Sequence, residues 1–159
     1  MNYSWTRRGE RKRVCFENPQ GRRLNLLAAI TQTGPLRDID WITSHRHLST
    51  EEFLHFLFAL PALPVPRVVV LDNGSLHKSN VVKAAMPDLW ARRIYLYYLP
   101  PYSPELNEIE PLFQHLKHHE MPQRSYTTID ALKDAVDDGL THMAKKSTTR
   151  REHELRLAA

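Results

Sequence analysis

Two segments, RVVVLDNGSLHKS at residues 67–79 and YLYYLPPYSPELNEIEPLFQHLK at residues 95–117, contain the strands around which we expect the protein to fold. Residues 68–71 form a short apolar run rich in β-branched side chains, which is typical of a strand buried on both faces. Residues 94–99 repeat that pattern, and the apolar positions between the two runs recur at helical spacing. The sequence therefore predicts a βαβ unit with parallel strands.

Asp72 directly follows the first strand, and the next two residues have turn chemistry. An ionised carboxylate at the edge of a buried sheet requires a partner, and sheets with parallel strands bind ligands where those strands end. Asp72 is therefore the first predicted functional residue. Three acids, Glu105, Glu108 and Glu110, follow the second strand, and we expect one of them to face Asp72. Two such carboxylates suit a divalent cation with oxygen ligands.

The second strand leads into a proline-rich loop and then into a helix. The loop PPYSP, at residues 100–104, cannot continue a β-ladder and should be rigid. The helix begins either with Ser103 as its cap or with Asn107. Because Asn107 and Glu110 also have the spacing of a capping pair, Glu110 has two interpretations, capping and metal binding. The apolar positions of the helix should face the core: Leu106, Ile109, Phe113 and Leu116.

The rest of the chain supplies a hairpin and two helices. Residues 22–33 and 38–43 predict antiparallel strands on either side of a Gly-Pro turn. Ser49 and Glu52 form a capping signature for a helix that ends before Pro61. A last helix is expected from Thr127 to about Leu140. We therefore predict one α/β domain over residues 1–144, followed by a charged tail over residues 145–159.

Composition limits the function classes. The chain has 159 residues, of which 42% are hydrophobic and 25% charged, as in an ordinary soluble globular domain. Its net charge of +4 favours a polyanionic partner. Cys15 is the only cysteine, so an intramolecular disulfide is excluded and a reducing compartment is indicated. No stretch is long and apolar enough to cross a membrane, and we expect a cytoplasmic protein.

A basic segment, MNYSWTRRGERKR at residues 1–13, opens the chain. Its cations either contact DNA phosphates or form a solvated turn, and the sequence leaves both interpretations open. The candidate DNA-binding residues in this segment are Arg7, Arg8, Arg11, Lys12 and Arg13. Lys117 continues a basic surface after the PPYSP helix.

The two motifs together resemble the mariner-like transposases and their bacterial insertion-sequence relatives, whose catalytic domain is a DDE superfamily endonuclease. That family carries a DNxxxH motif after a strand, here Asp72 to His77, and a PPYSPxLNxIE block, here residues 100–110. The leucine-lysine pair that ends the pattern is Leu116 and Lys117, and Phe113 stands where the family has tryptophan. Two blocks of this length, in this order and at the family's spacing, make the resemblance specific.

The resemblance implies an α/β, ribonuclease H-like mixed sheet flanked by helices, and DNA cleavage and transfer at transposon ends. In that family three carboxylates hold two Mg²⁺ or Mn²⁺ ions; by the resemblance Asp72 is the second and Glu110 the third. Neighbouring residues would orient these acids or contact DNA: Asn73, His77, Tyr102, Ser103 and Asn107. His77 has an alternative interpretation as a purely structural residue, and Asn73 as a residue that bonds the local backbone.

The chain departs from the family pattern at its N-terminus. Tyr3, Trp5 and the basic turn at residues 7–9 resemble the segment that follows the family's first strand and first Asp. We therefore expect that strand to precede Met1, so that this sequence lacks the first strand and the first acid. Asp38 and Asp40 are interpreted as ordinary exposed acids at a strand edge. Because a sheet without its central strand exposes backbone groups and apolar surface, we expect poor solubility or self-association.

Three functions remain open at this point. The first is an insertion-sequence transposase from a truncated or split reading frame, inactive alone and dependent on a partner polypeptide, or a homodimer, for the missing N-terminal part. The second is a non-catalytic remnant that binds DNA or pairs with an intact transposase. The third is a small ribonuclease H-like nuclease with a rearranged set of acids.

Overall fold

The structure is a computed structural model that describes residues 23–33, 36–121 and 126–158. A 3₁₀ turn (Pro104–Leu106) precedes helix α4, and a π-helical turn (Leu116–Glu120) follows it. The strands and helices, in chain order, are β1 (Asn25–Thr33), β2 (Leu36–Ser44), α1 (Thr50–Ala59), β3 (Arg67–Leu71), α2 (Asn80–Ala84), α3 (Met86–Ala91), β4 (Ile94–Tyr98), α4 (Ile109–His115) and α5 (Ile129–Ala158). This is a mixed α/β fold, which confirms the predicted class.

The four described strands form two separate two-stranded sheets. Strands β1 and β2 pair antiparallel, with Asn25 opposite Ser44 and Thr33 opposite Leu36. Strands β3 and β4 pair parallel, with Arg67 opposite Ile94. Both pairings were predicted, and both are confirmed. Within the described residues β1 and β3 do not pair, so each has one edge without a strand neighbour.

Helix α1 has the predicted capping box. The Ser49 hydroxyl accepts a hydrogen bond from the Glu52 backbone N–H at 3.2 Å, and the Glu52 carboxylate accepts one from the Ser49 N–H at 2.8 Å. This pair satisfies two of the backbone donors that a helix start leaves free. The helix then buries one face in a first hydrophobic cluster, whose buried members are Phe53, Leu54, Phe56, Leu57, Leu60, Val82, Leu89 and Ile94.

The connection between β3 and β4 contains two short helices where one was predicted. Helix α2 begins with Ser79 as its side-chain cap and ends at Ala84. Pro87 lies in the first turn of α3, and proline lacks the N–H that a continuous helix would need at that position. Val82 and Leu89 are fully buried, so both short helices still contribute to the first cluster.

A second hydrophobic cluster lies on the other side of the β1–β2 hairpin. Its buried members are Leu112, Leu116, Val136 and Leu140, from α4, the π turn and α5. Alternate residues of the hairpin serve the two clusters: Leu27 and Ile42 pack against the first, whereas Ile30 and Trp41 pack against the second. Helices therefore cover both faces of this hairpin.

Among the described residues, the β3–β4 pair is covered on one face only, which corrects the prediction that β3 is buried on both. Val69 and Leu96 face the first cluster, but Val68 is 61% exposed and Val70 52% exposed. Tyr95 and Tyr97 pair with these valines and are exposed as well. The sequence of β3 is apolar at the positions of both faces, which is why burial on both was predicted. No described helix covers the second face.

The segment between β4 and α4 also differs from expectation. The Ser103 hydroxyl donates to the Pro101 carbonyl at 3.4 Å, and α4 begins after Glu108 without a side-chain cap. Asn107 uses its backbone carbonyl to accept from the Glu110 N–H at 3.2 Å. Leu106 is 52% exposed, so its predicted core role is wrong, because the 3₁₀ turn rotates it away from the stripe that α4 buries.

Helix α5 is much longer than predicted and continues through the expected tail to Ala158. Gly139, which precedes the expected helix end at Leu140, lies inside the helix. A Cβ there would be 2.6 Å from Leu116 Cδ1 and 3.1 Å from Glu120 Cβ. The glycine therefore permits the close approach of α5 and the π turn. Trp41 Nε1 donates to Asp137 Oδ1 at 2.8 Å and fixes α5 to β2.

Candidate functional site

Asp72 lies where the sequence places it, directly after the last residue of β3. Its Oδ1 accepts a hydrogen bond from the Gly74 N–H at 2.9 Å and lies 3.4 Å from His77 Nε2. Its side chain is 57% exposed. A Cβ at Gly74 would be 3.0 Å from Asp72 Oδ1 and 3.2 Å from the His77 ring, so glycine leaves room for this contact. The carboxylate is thus oriented by its neighbours yet open to solvent.

His77 is the better buried partner of this pair, with 18% of its side chain exposed. Its ring meets the edge of the Phe53 ring at a centroid distance of 4.6 Å. Burial lowers the pKa of His77 below its usual value, while the negative charge of Asp72 opposes that shift. A lowered pKa favours the neutral form of the imidazole at pH 7. The contact favours the interpretation in which His77 orients Asp72.

Two hydrogen bonds tie the ends of the parallel strands together. Asn73 Nδ2 donates to the Leu99 carbonyl at 2.7 Å, and the Tyr98 hydroxyl donates to the His77 carbonyl at 2.7 Å. Asn73 therefore bonds the end of the neighbouring strand, where a bond to its local backbone was the predicted alternative. These links fix the loop that carries Asp72 to the loop that follows β4.

The PPYSP loop presents an aromatic ring to solvent. Tyr102 is fully exposed and has a φ of 60°, in the left-handed region that a bulky residue rarely adopts. Such a backbone is costly, by about 1–3 kcal/mol, and it persists only where neighbours enforce it. Prolines on both sides of this dipeptide restrict the loop. The ring therefore projects from the loop beyond the end of β4.

Asp72 opens onto a cavity of about 740 Å³. His77, Asn107 and Glu108 line the same cavity, so residues of both sequence motifs face it. Glu110 lies two residues further along, is exposed, and is absent from the cavity lining among the described residues. Glu108 is therefore the acid of the second motif that shares this cavity with Asp72, an outcome that sequence spacing alone did not distinguish.

The donor chemistry fits part of a divalent metal site. Carboxylate oxygens are the ligands that Mg²⁺ and Mn²⁺ prefer, and Mg²⁺ is often held by one or two carboxylates together with substrate phosphates. In the described part of the chain, no group of three or more His, Cys, Asp or Glu side chains is placed to hold one ion. Asp72 with one acid of the second motif thus accounts for a partial ligand set.

A polar cluster that the sequence did not predict lies on the other side of the molecule. The side chain of Glu120 is only 8% exposed. Its carboxylate contacts His142 Nδ1 at 2.6 Å, His115 Nε2 at 3.2 Å and Lys146 Nζ at 3.4 Å. The hydrogen bond from His142 is the largest of several contacts that lower the pKa of Glu120 to about 2. This cluster joins the π turn to α5, so its role is structural.

A second unpredicted contact involves Asp40, which is half-buried and so not the exposed edge acid that was expected. Burial raises its pKa, and the nearby Arg67 charge opposes that shift. Arg67 Nη1 also donates to the Thr31 hydroxyl at 2.8 Å, which links the start of β3 to the end of β1. A basic residue at the start of an apolar strand was the only sequence signal for this link.

Lys117 and five basic residues near the N-terminus were also predicted to contact DNA. Lys117 is exposed on the π turn. Arg7, Arg8, Arg11, Lys12 and Arg13 lie outside the described residues, as do Cys15 and the Gly-Pro turn at residues 34–35. No helix in the described part of the chain is long and apolar enough to cross a membrane.

An acid at the carboxyl end of a parallel strand, opening onto a cavity that a second motif also lines, is the arrangement in which α/β proteins commonly bind ligands. Residues 1–133 match the DDE superfamily endonuclease family, which is most of the chain. The protein therefore belongs to the DDE superfamily endonucleases. A search of curated proteins found no match.

Proposed function

We propose that this protein is the catalytic part of a bacterial insertion-sequence transposase, which cleaves and joins DNA strands by phosphoryl transfer on a ribonuclease H-like sheet. The observation that carries the proposal is the position of Asp72, in a member of the DDE superfamily endonucleases. It ends a parallel strand and shares a cavity with the Asn107–Glu108 segment of the second motif.

Asp72 and Glu110 are the proposed ligands of Mg²⁺ or Mn²⁺. When bound, such an ion polarises a phosphate oxygen and lowers the pKa of an attacking water or 3′-hydroxyl. The protein's own contribution is orientation: the Gly74 N–H donates to Asp72 Oδ1, and the His77 ring lies 3.4 Å from the same oxygen. Asn73 fixes that loop to the end of β4. A carboxylate held in this way needs little reordering when a ligand arrives.

DNA is the proposed substrate, at the ends of a transposable element. Tyr102 is fully exposed on a restricted loop, and a planar ring in that position suits stacking on an unpaired base. Lys117 and the basic residues at positions 7–13 would neutralise phosphates, in line with the net charge of +4. Ser103 and Asn107 hold the backbone of the loop between these contacts through their own hydrogen bonds.

Two acids leave a two-metal site incomplete. The third carboxylate would come from outside the described residues of this chain, for example from a partner polypeptide or from a second copy of the chain. The chain alone is therefore expected to bind metal weakly and to show little or no strand transfer. The unpaired edges of β1 and β3 favour a second candidate, in which the chain pairs with an intact transposase without cleaving DNA itself.

The test is a calorimetric titration of the full chain with Mn²⁺, repeated with Asp72→Asn and Glu110→Gln. Weak binding that both variants lose is the expected result, because each removes one charged oxygen ligand. Glu105→Gln is the matched control, since Glu105 is exposed in the 3₁₀ turn, and it should bind as the wild type does. Loss of binding in Glu108→Gln with retention in Glu110→Gln would reassign the second ligand to Glu108.

DNA assays separate the alternatives. Nicking of supercoiled DNA by this chain alone, abolished by Asp72→Asn, would favour a small ribonuclease H-like nuclease. Metal-independent DNA binding without nicking would favour the pairing protein. A wild-type chain that binds neither Mn²⁺ nor DNA would overturn the proposal.

A further inference from the structure

The π turn that follows α4 brings two histidines close together. His115 is the last residue of α4, and His119 lies four residues later, in the π turn. Their ring centroids are 4.8 Å apart, and the two rings are tilted by 36°. Two histidines four residues apart on one side of a helical segment can both reach one metal ion. We call His115 and His119 the histidine pair.

The separation of the two rings suits a shared metal ion. Zinc lies about 2.0–2.1 Å from an imidazole nitrogen and prefers tetrahedral geometry. At that distance and angle, the centroids of two coordinating rings are roughly 5 Å apart. The histidine pair already has nearly this separation. Both side chains are exposed, so small rotations can turn a nitrogen of each ring toward the ion.

The geometry of the π turn also places a carboxylate beside the pair. The Met121 N–H donates to the Leu116 carbonyl, five residues earlier, at 3.0 Å, which is the π-helical pattern. His115 and Glu120 are likewise five residues apart, and Glu120 Oε1 lies 3.2 Å from His115 Nε2. The side chain of Glu120 is well buried, so this carboxylate is held in place against His115.

Glu120 determines which nitrogen of His115 can bind a metal. Its pKa is lowered to about 2, so it is ionised at neutral pH and can only accept hydrogen bonds. The proton of a neutral His115 ring therefore lies on Nε2, and Nδ1 keeps the lone pair that a metal requires. A carboxylate that holds the other nitrogen of a ligating histidine is the usual arrangement around metal sites, and it makes the ring a better ligand.

The ligand chemistry of the pair differs from that of Asp72. Imidazole nitrogens suit Zn²⁺, Cu²⁺ and Ni²⁺, whereas carboxylate oxygens suit Mg²⁺ and Mn²⁺. In the part of the chain that the structure describes, no three or more His, Cys, Asp or Glu side chains are placed to hold one ion. The pair therefore supplies two ligands, and water completes the coordination.

We propose that the histidine pair is a binding site for a divalent transition metal such as Zn²⁺, with His115 and His119 as ligands and Glu120 orienting His115. The site is independent of the proposed function, because these three residues lie outside the lining of the cavity at Asp72. A bound ion connects the end of α4 to the π turn, and it restrains the segment that leads from α4 toward α5.

The test is a calorimetric titration of the tag-free full chain with Zn²⁺ at about pH 7.5, because protons compete with metals for imidazole. Wild type should bind one ion, and His115→Ala and His119→Ala should each weaken binding at least about tenfold through loss of one ligand. Glu120→Gln should weaken binding about tenfold, because it removes the charge that orients His115. His118→Ala is the matched control: His118 is exposed in the same turn, and the variant should bind as the wild type does.

Two further measurements report on the ligands and on the restraint. Electron paramagnetic resonance of bound Cu²⁺ should show coupling to two imidazole nitrogens in the wild type and to one at most in His119→Ala. At a hundredfold excess over Kd, Zn²⁺ should raise the unfolding midpoint of the wild type and of Asp72→Asn by about 5 °C. The midpoint of His119→Ala should change by less than about 1 °C under the same conditions.

Several outcomes would overturn this site. One is a wild type that does not bind Zn²⁺, and another is unchanged Zn²⁺ affinity in both His115→Ala and His119→Ala. Binding lost only when His45→Ala and His47→Ala are combined would assign the ion to the exposed loop after β2. Binding lost in Asp72→Asn but kept in His119→Ala would assign it to the cavity. Zn²⁺ binding that depends on the pair, in a chain that does not bind Mn²⁺, would support this site and contradict the proposed function.

Discussion

The β1–β2 hairpin and the β3–β4 pair are both two-stranded sheets, but they are covered differently. Helix α1 lies over one face of each, whereas α4 and α5 bury only the second face of the hairpin. The second face of the parallel pair leaves Val68, Val70 and two tyrosines exposed. The hairpin has helices on both faces, whereas the parallel pair, which carries the candidate site, is covered by described helices on one face only. Both β1 and β3 keep an edge without a strand neighbour among the described strands.

The largest expected effect comes from removing a side chain of the covered side. Leu140 is fully buried in the second cluster, so Leu140→Ala should lower the free energy of unfolding by about 3–5 kcal/mol through lost burial and a cavity. Leu106→Ala is the matched control, because Leu106 is 52% exposed and should cost less than about 1 kcal/mol. Urea unfolding measures both, and equal costs would contradict the assignment of the core.

A smaller effect is expected from the two glycine positions, which test the same comparison by adding one methyl group. Gly139→Ala places Cβ against Leu116 and Glu120 on the covered side, and overpacking there should cost about 1–3 kcal/mol. Gly74→Ala places Cβ against the exposed Asp72 carboxylate, which can rotate away. We therefore expect Gly74→Ala to weaken Mn²⁺ binding with little change in urea stability. A large loss of urea stability in Gly74→Ala, with little change in Gly139→Ala, would show that the packed side had been misidentified.

Acid should weaken the covered side through Glu120. The pKa of Glu120 is lowered to about 2 in the folded protein from 4.5 when unperturbed, so its contribution to stability is present above pH 4.5 and disappears as the pH falls toward 2. Its basic partners are largely exposed, and solvent screening limits the contribution to about 1–2 kcal/mol. Wild type should lose more stability than Glu120→Gln between pH 5 and 3, as measured by urea midpoints. Equal losses of stability in the wild type and Glu120→Gln would show that Glu120 does not contribute to the acid sensitivity.

The smallest expected effect on stability comes from the open face. Val68→Thr together with Val70→Thr replaces exposed apolar side chains with residues that keep a high strand propensity. Unfolding free energy should change by less than about 0.5 kcal/mol, whereas self-association at high concentration should fall, because an apolar patch is removed. Sedimentation velocity measures the association. A large loss of stability would mean that this face is covered in solution.

Local signals in the sequence were enough for the elements that depend on short-range chemistry. The capping box at Ser49, the hairpin and the parallel βαβ unit were all predicted, because each has a spacing rule that acts within a few residues or one crossover. The position of Asp72 at a strand end followed from the same topology. Its contact with His77 was one of two interpretations and is the one that the geometry favours.

The features that escaped prediction depend on what a segment packs against. An apolar run such as residues 68–71 indicates burial on both faces, yet the layer over the second face must come from elsewhere. Two acids are affected by residues far away in the sequence: the charge of Arg67 acts on Asp40, and His142 contacts Glu120. Likewise, the length of α5 exceeded its apolar stripe, because a charged segment carries no pattern that marks where a helix ends.

The hairpin and the helix that completes it lie far apart in the sequence, and this has a consequence for synthesis. Strands β1 and β2 are neighbours in the sequence and can pair within about 1–10 μs, long before the crossover that β3 and β4 require. The bond between Trp41 and Asp137, by contrast, joins residues 96 positions apart. During translation, which adds about 5–20 residues per second, the second face of the hairpin is not fully covered until α4 and then α5 have left the ribosome. The growing chain therefore exposes an apolar surface from the formation of the hairpin until its last helices emerge, on a side that helices cover once folding is complete.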